Sequence, residues 1–159
     1  MTSVPPMTVP TSTTHRVDIK ADARPLYRAQ AALDRAVRES PLDAPLYELV
    51  KIRASQINGC AYCVDMHTHD ALAAGESQRR LFALSAWRGS PLFDERERAA
   101  LALTDAVTLI ATEAERIDPA YEAAAAHFSD EELAALLYGI AAINTWNRLA
   151  VSTHMVFEP

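Results

Sequence analysis

From Arg24 onward, alanine and leucine dominate the sequence, runs of β-branched residues are absent, and the whole 159-residue chain holds only four glycines. Such a chain has few means of making strands or tight hairpins, whereas its residues carry little penalty in a helix. The sequence therefore predicts an all-α fold, with no convincing strand and no internal repeat. The expected helices lie near 24 to 39, 44 to 57, 61 to 74, 77 to 87, 95 to 113, 119 to 128 and 130 to 150.

Several boundaries have a physical cause. Asp94 precedes Glu97 by three residues, and Ser129 precedes Glu132 by three. Both pairs fit a capping box, in which side chains satisfy the exposed amides of a helix start. Asp118 followed by Pro119 reads as another start, because a proline in the first turn sacrifices no hydrogen bond. Gly59, Gly75 and Gly89 fall where helices should stop, since glycine accepts a left-handed terminus cheaply. Residues 1–14 are rich in Pro, Thr and Ser, and are expected to form a tail outside a single domain spanning 15–159.

Composition narrows the function. The chain has 15 Lys+Arg against 21 Asp+Glu, a net charge of -6, so it lacks the concentrated basic surface that nucleic acid requires. No apolar stretch approaches the roughly 18 residues of a membrane span, and the N-terminal residues resemble no secretory leader. A cytoplasmic protein with no nucleic-acid or membrane partner is expected. Its two cysteines are too few for a disulfide scaffold, and in a reducing compartment a close pair points to chemistry.

That pair is Cys60 and Cys63, in the stretch CAYCVDMH, with His67 four residues after the second. Gly59 ends one helix, so Cys60 sits at the mouth of the next, where the helix dipole favours a thiolate. At about 100° per residue, Cys60, Cys63 and His67 share a face roughly 60° wide, and His69 falls on the opposite side. An imidazole placed so can take a proton from a thiol and return it. Glu48, twelve residues before Cys60 on the preceding helix, is positioned to orient that ring and hold its charge, although a simple ion pair with Lys51 or Arg53 would also use it. A structural zinc site would need four ligands, and Cys60, Cys63 and His67 offer three. His15, His127 and His154 have no partner pattern. Leu and Trp in LFALSAWRGSPLF are expected to line the core or a subunit interface.

The run from Glu48 through Cys60 and Cys63 to His67 has the form E-x11-C-x2-C-x3-H, and it resembles the alkylhydroperoxidase D-like branch of the carboxymuconolactone decarboxylase superfamily. The resemblance extends through LSAWRGSPLFDERERAALALTDAVT to INTWNRLAV, covering residues 24 to about 152. It implies a helical subunit of about six to eight helices that assembles into trimers or hexamers. It also implies a CxxC pair that cycles between dithiol and disulfide while reducing organic hydroperoxides, with no cofactor and no metal. On that likeness Cys63 attacks the peroxide, Cys60 donates a proton and resolves the sulfenic acid, and Glu48 and His67 form the relay. The dipole alone would favour Cys60 as the thiolate; His67, one turn beyond Cys63, can reverse that order. In the best-studied relatives a histidine of the relay precedes the second cysteine; here Tyr62 stands there, able to donate a hydrogen bond but a poor base near neutral pH. A lipoyl-bearing protein or a thioredoxin-like donor would supply the reducing dithiol. The alternatives are a decarboxylase-type lyase, which needs no thiol pair, and a redox sensor that does not turn over.

Overall fold

The computed structural model describes residues 15–156. Eight α-helices make up its regular structure, with two short 3-10 stretches and no strand among the described residues. The tail expected at residues 1–14 lies outside them. The helices are α1 (Ile19–Asp22), α2 (Arg24–Arg38), α3 (Ala44–Asn58), α4 (Ala61–Ala73), α5 (Gln78–Ala83), α6 (Glu95–Thr108), α7 (Ile117–Ala125) and α8 (Asp130–Thr153).

The centre is α3. It packs most extensively on α4, α8 and α6, and nine of its residues from Leu46 to Ser55 are buried. A helix surrounded in this way must be apolar on nearly every face. The sequence meets that demand with Leu46, Leu49, Val50, Ile52 and Ala54, so the charged residues Glu48 and Lys51 stand out as exceptions. A main core joins α2, α3, α6, α7 and α8, and a second forms around Leu49, Leu81, Leu84, Trp87 and Phe93. Phe82, in the same LFALSAWRGSPLF stretch, is exposed. A third cluster places Cys60 and Cys63 against Ile143 and Ala150 of α8.

Both expected capping boxes are present, at Asp94 with Glu97 and at Ser129 with Glu132. Gly59 and Gly75 have the left-handed φ of +66° and +96°. Four boundaries differ from the sequence reading. The helix expected over 77–87 ends at Ala83 and continues as a 3-10 stretch, Leu84–Gly89, kinked at Ala86. Gly89 keeps an ordinary φ, and the left-handed terminus that the glycine pattern did not announce belongs to His154. The helix expected to reach 113 stops at Thr108. Finally, α7 begins at Ile117 behind the 3-10 turn Ala114–Arg116, so Asp118 lies inside the first turn and does not cap it. The sequence reading also missed α1, which is held by the Asp18 carboxylate accepting from the amides of Lys20 and Ala21 at 2.9 and 3.1 Å.

Tight packing of α8 on α3 depends on Gly139. A Cβ built there would lie 2.7 Å from Cε2 of Tyr47, and that ring is pinned because its hydroxyl donates to Asp34 at 2.9 Å. Gly139→Val should therefore lower the unfolding free energy by about 1–3 kcal/mol through overpacking, against only a few tenths returned as helix propensity, to be measured by urea denaturation.

Candidate active site

Helix α3 ends where Gly59 adopts its left-handed turn, and the chain re-enters as α4 with Cys60 as the N-cap. Cys60 is not itself helical: its backbone is extended, and its sulfur accepts from the Cys63 amide at 3.3 Å. The wheel that counted Cys60 as the first helical position therefore needs correcting, and His69, placed opposite by that count, lines the same open surface groove as Cys60. Cys60 and Cys63 are joined as a disulfide, with Cα atoms 5.4 Å apart. Both are almost wholly buried.

Cys63 and His67 line one cavity of about 210 Å³. Its walls are Tyr27 and Ala31 of α2, Tyr62 and Met66 of α4, Trp146 and Ala150 of α8, and Met155. Tyr27 and Trp146 meet edge to face with centroids 5.1 Å apart, forming an aromatic wall beside the sulfur. Asp34 and Arg38 supply the polar end. Tyr62 thus stands in the cavity with Cys63.

Behind His67 lies Glu48. Its Oε2 is 3.2 Å from His67 Nδ1. That separation is within hydrogen-bond reach, but the pair meets off the ideal line, and neither atom has another partner among the described residues. Both atoms are buried, so the contact fixes the ring against the carboxylate. The second oxygen, Oε1, accepts from Lys51 Nζ at 2.5 Å and from Arg38 at 3.4 Å. Lys51 is completely buried, with its ammonium 4.6 Å from the centre of the Tyr47 ring. Arg38 also reaches Asp34, which accepts from Tyr47. Glu48 therefore meets His67 through one oxygen and pairs with Lys51 through the other. Arg53 is engaged elsewhere, at Asp105.

Electrostatics follow from this arrangement. Burial alone would push the Glu48 carboxyl up, but the contacts with His67 and the Lys51 ammonium outweigh it and hold the carboxyl below its usual range. Burial lowers Lys51 despite its carboxylate partner. Burial and Asp34 together raise the Tyr47 phenol, which stays protonated as a donor.

Asp34 and Arg38 are the site residues that sequence reasoning missed, although they stand four apart on α2; Lys51 was named there as an ion-pair partner for Glu48, and that pair is present. Further along, Arg148 donates to Asn144 on its own helix and pairs with no carboxylate among the described residues, while the buried Asn147 donates to Ser55 and accepts from Asn58. Of the WNR stretch, Asn147 thus ties α8 to α3, and Trp146 stands in the cavity wall.

The carboxymuconolactone decarboxylase family profile matches residues 24–106, a span that contains Glu48, both cysteines and His67. The chain belongs to this family. Within it, the protein falls in the alkylhydroperoxidase D-like branch. It is 37% identical to the uncharacterized protein YdfG of Bacillus subtilis over 121 residues, 76% of this chain and 81% of that one. A crystal structure from Agrobacterium tumefaciens, of a protein of unknown function linked by its description to the antioxidant defence protein AhpD, superposes with a TM-score of 0.87 at 41% identity, covering 92% of this chain and 99% of that one. An uncharacterized peroxidase-related protein from Silicibacter superposes at 0.71 with 25% identity, covering 81% and 68%. The alkylhydroperoxidase D-like fold of this family member is all-helical, as its sequence implied.

None of the described helices is long and apolar enough to cross a membrane.

Glu48→Gln would leave the Lys51 ammonium buried without a charged partner, at a cost of about 3–5 kcal/mol near neutral pH. Because folding lowers the Glu48 carboxyl, its stabilising contribution is present above the ordinary carboxylate range and is lost as pH falls through the lower folded value. Denaturation at stepped acidic pH should show the wild type losing stability over that window, with a smaller loss in Glu48→Gln.

Proposed function

We propose that this protein reduces organic hydroperoxides with the Cys60–Cys63 pair and is returned to the dithiol by an external dithiol. The observation that carries the reading is a disulfide whose Cys63 opens on an apolar cavity beside His67, with His67 backed by a buried carboxylate. The family relationship and the antioxidant and peroxidase-related descriptions of two similar structures support it.

In the reduced protein, Glu48 occupies the Nδ1 side of His67 and leaves Nε2 to exchange a proton with Cys63. The Cys63 thiolate attacks the outer oxygen of the peroxide. The O–O bond breaks, Cys63 becomes a sulfenic acid, and the departing alkoxide takes a proton to leave as an alcohol. Cys60 then attacks the Cys63 sulfur, forming the disulfide and releasing water. A dithiol, lipoyl-bearing or thioredoxin-like, attacks the disulfide, forms a mixed disulfide and closes its own ring as both cysteines regain thiols. Tyr62 serves as a hydrogen-bond donor to the bound oxygen. The aromatic wall of Tyr27 and Trp146 suits hydroperoxides with an apolar organic group over hydrogen peroxide itself.

Steady-state consumption of cumene hydroperoxide with excess dithiol tests this reading. Cys63→Ser should fall to the uncatalysed background, Cys60→Ser should oxidise once without turning over, and His67→Gln should lose about 10²–10⁴ in kcat. Equal rates for wild type and Cys63→Ser would overturn the mechanism, and a single stoichiometric oxidation in the wild type would favour a redox sensor.

A further inference from the structure

The His67–Glu48 pair stands between two cavities. On one side, His67 and Cys63 line the sulfur cavity. On the other, Glu48 lines an outer cavity of about 570 Å³ together with Asp70 and Glu76. Arg38 lines both and bonds to Glu48, completing the partition. One ligating atom each from Glu48, His67 and Asp70 lies within 4.8 Å of the others. A gap of that size between polar atoms is one that a single water molecule spans.

Among the described residues the Asp70 side chain makes neither an ion pair nor a hydrogen bond. It sits in the last turn of α4, where a negative charge opposes the helix dipole. Around the outer cavity, Glu76 and Glu97 are committed to Arg80, and Glu48 to Lys51 and Arg38. Among the described residues, Asp70 is the carboxylate lining this cavity that forms no ion pair, and it is exposed to solvent.

We propose that Asp70 passes protons between solvent and the His67–Glu48 pair through the outer cavity, so that proton exchange proceeds while the sulfur cavity is occupied. This rests on the proposed thiol chemistry and adds a residue to it. Asp70 acts through Glu48 and His67 and does not touch the reacting atoms. Starting from the Cys63 thiolate and the Cys60 thiol, reduction of one peroxide to alcohol and water takes up one proton, and reduction of the disulfide by a dithiol, which brings two, restores the thiol and thiolate and releases one. A carboxylate at the cavity mouth exchanges this proton with bulk water, and the buried pair carries it to and from the sulfur cavity. The charged groups facing this route are Asp34 and Arg38 from α2, Lys51 from α3, Glu76 from the turn after α4, Arg80 from α5 and Glu97 from α6. All but Asp70 are already paired, so removing Asp70 should affect proton exchange and leave packing intact.

The full-length protein, Asp70→Asn and Asp70→Glu are compared in two assays. The first is peroxide turnover across pH in light and heavy water, and the second is single-turnover reduction of the disulfide by dithiothreitol in the same solvents. Asp70→Asn should lower kcat about tenfold, less than the loss of a direct acid-base group, with KM unchanged and a larger solvent isotope effect in both assays. Asp70→Glu should restore most of the rate. A wild-type kcat and isotope effect in Asp70→Asn would overturn the proposal, and so would a lowered kcat with no change in isotope effect or no rescue by glutamate. Should the wild type fail to turn over peroxide, the hydroperoxide reading falls, while the disulfide assay still decides the role of Asp70.

Discussion

The site depends on one buried carboxylate whose two oxygens serve different partners. Glu48 gives Oε1 to the Lys51 ammonium and Oε2 to His67. A lone carboxylate in this position would respond to burial by holding its proton. The contacts with His67 and with Lys51, which is fully enclosed beneath the Tyr47 ring, together hold Glu48 below its usual range. Neither charge would be tolerated singly in the core of α3, so the two are held there as a unit.

Everything around the pair reinforces this geometry. Because α3 is enclosed by α4, α6 and α8, the Glu48 side chain has little room to swing away from His67. The turn at Gly59 reverses the chain so that α4 runs back beside α3 and places His67 against Glu48. Asp34 and Arg38 tie α2 to the same carboxylate, while Gly139 lets α8 press on Tyr47. The strength of the cluster comes from several helices converging on a few polar atoms. It also forms a wall, with the cavity of Cys63 on one side and a charged cavity on the other.

Much of the fold was legible because local chemistry and tertiary structure agree. Asp94, Ser129 and Gly59 act through their own neighbours, and the structure keeps their roles. Where tertiary packing intervened, local signals misled: Pro119 marks a first turn, but the preceding 3-10 turn sets where α7 begins, and Leu84 to Gly89 follow the core instead of a regular helix. At the site, the spacing of Cys63 and His67 was sufficient to place both on one cavity, because both lie within α4. Cys60 broke the count, since an N-cap residue leaves the helical path. The contribution of Asp34 and Arg38 was harder to read, for it depends on α2 and α3 meeting in space, which no periodicity encodes. Lys51 was legible as an ion-pair partner one turn from Glu48, but its complete burial was not, for that follows from the enclosure of α3.

The most direct test of this account is the protonation pattern of His67, read from long-range ¹H–¹⁵N correlation spectra of the labelled protein. In its neutral form the ring should carry its proton on Nδ1, facing Glu48, and leave Nε2 unprotonated toward the sulfur cavity. A ring protonated on Nε2 would contradict it, because the carboxylate would then not be orienting the imidazole.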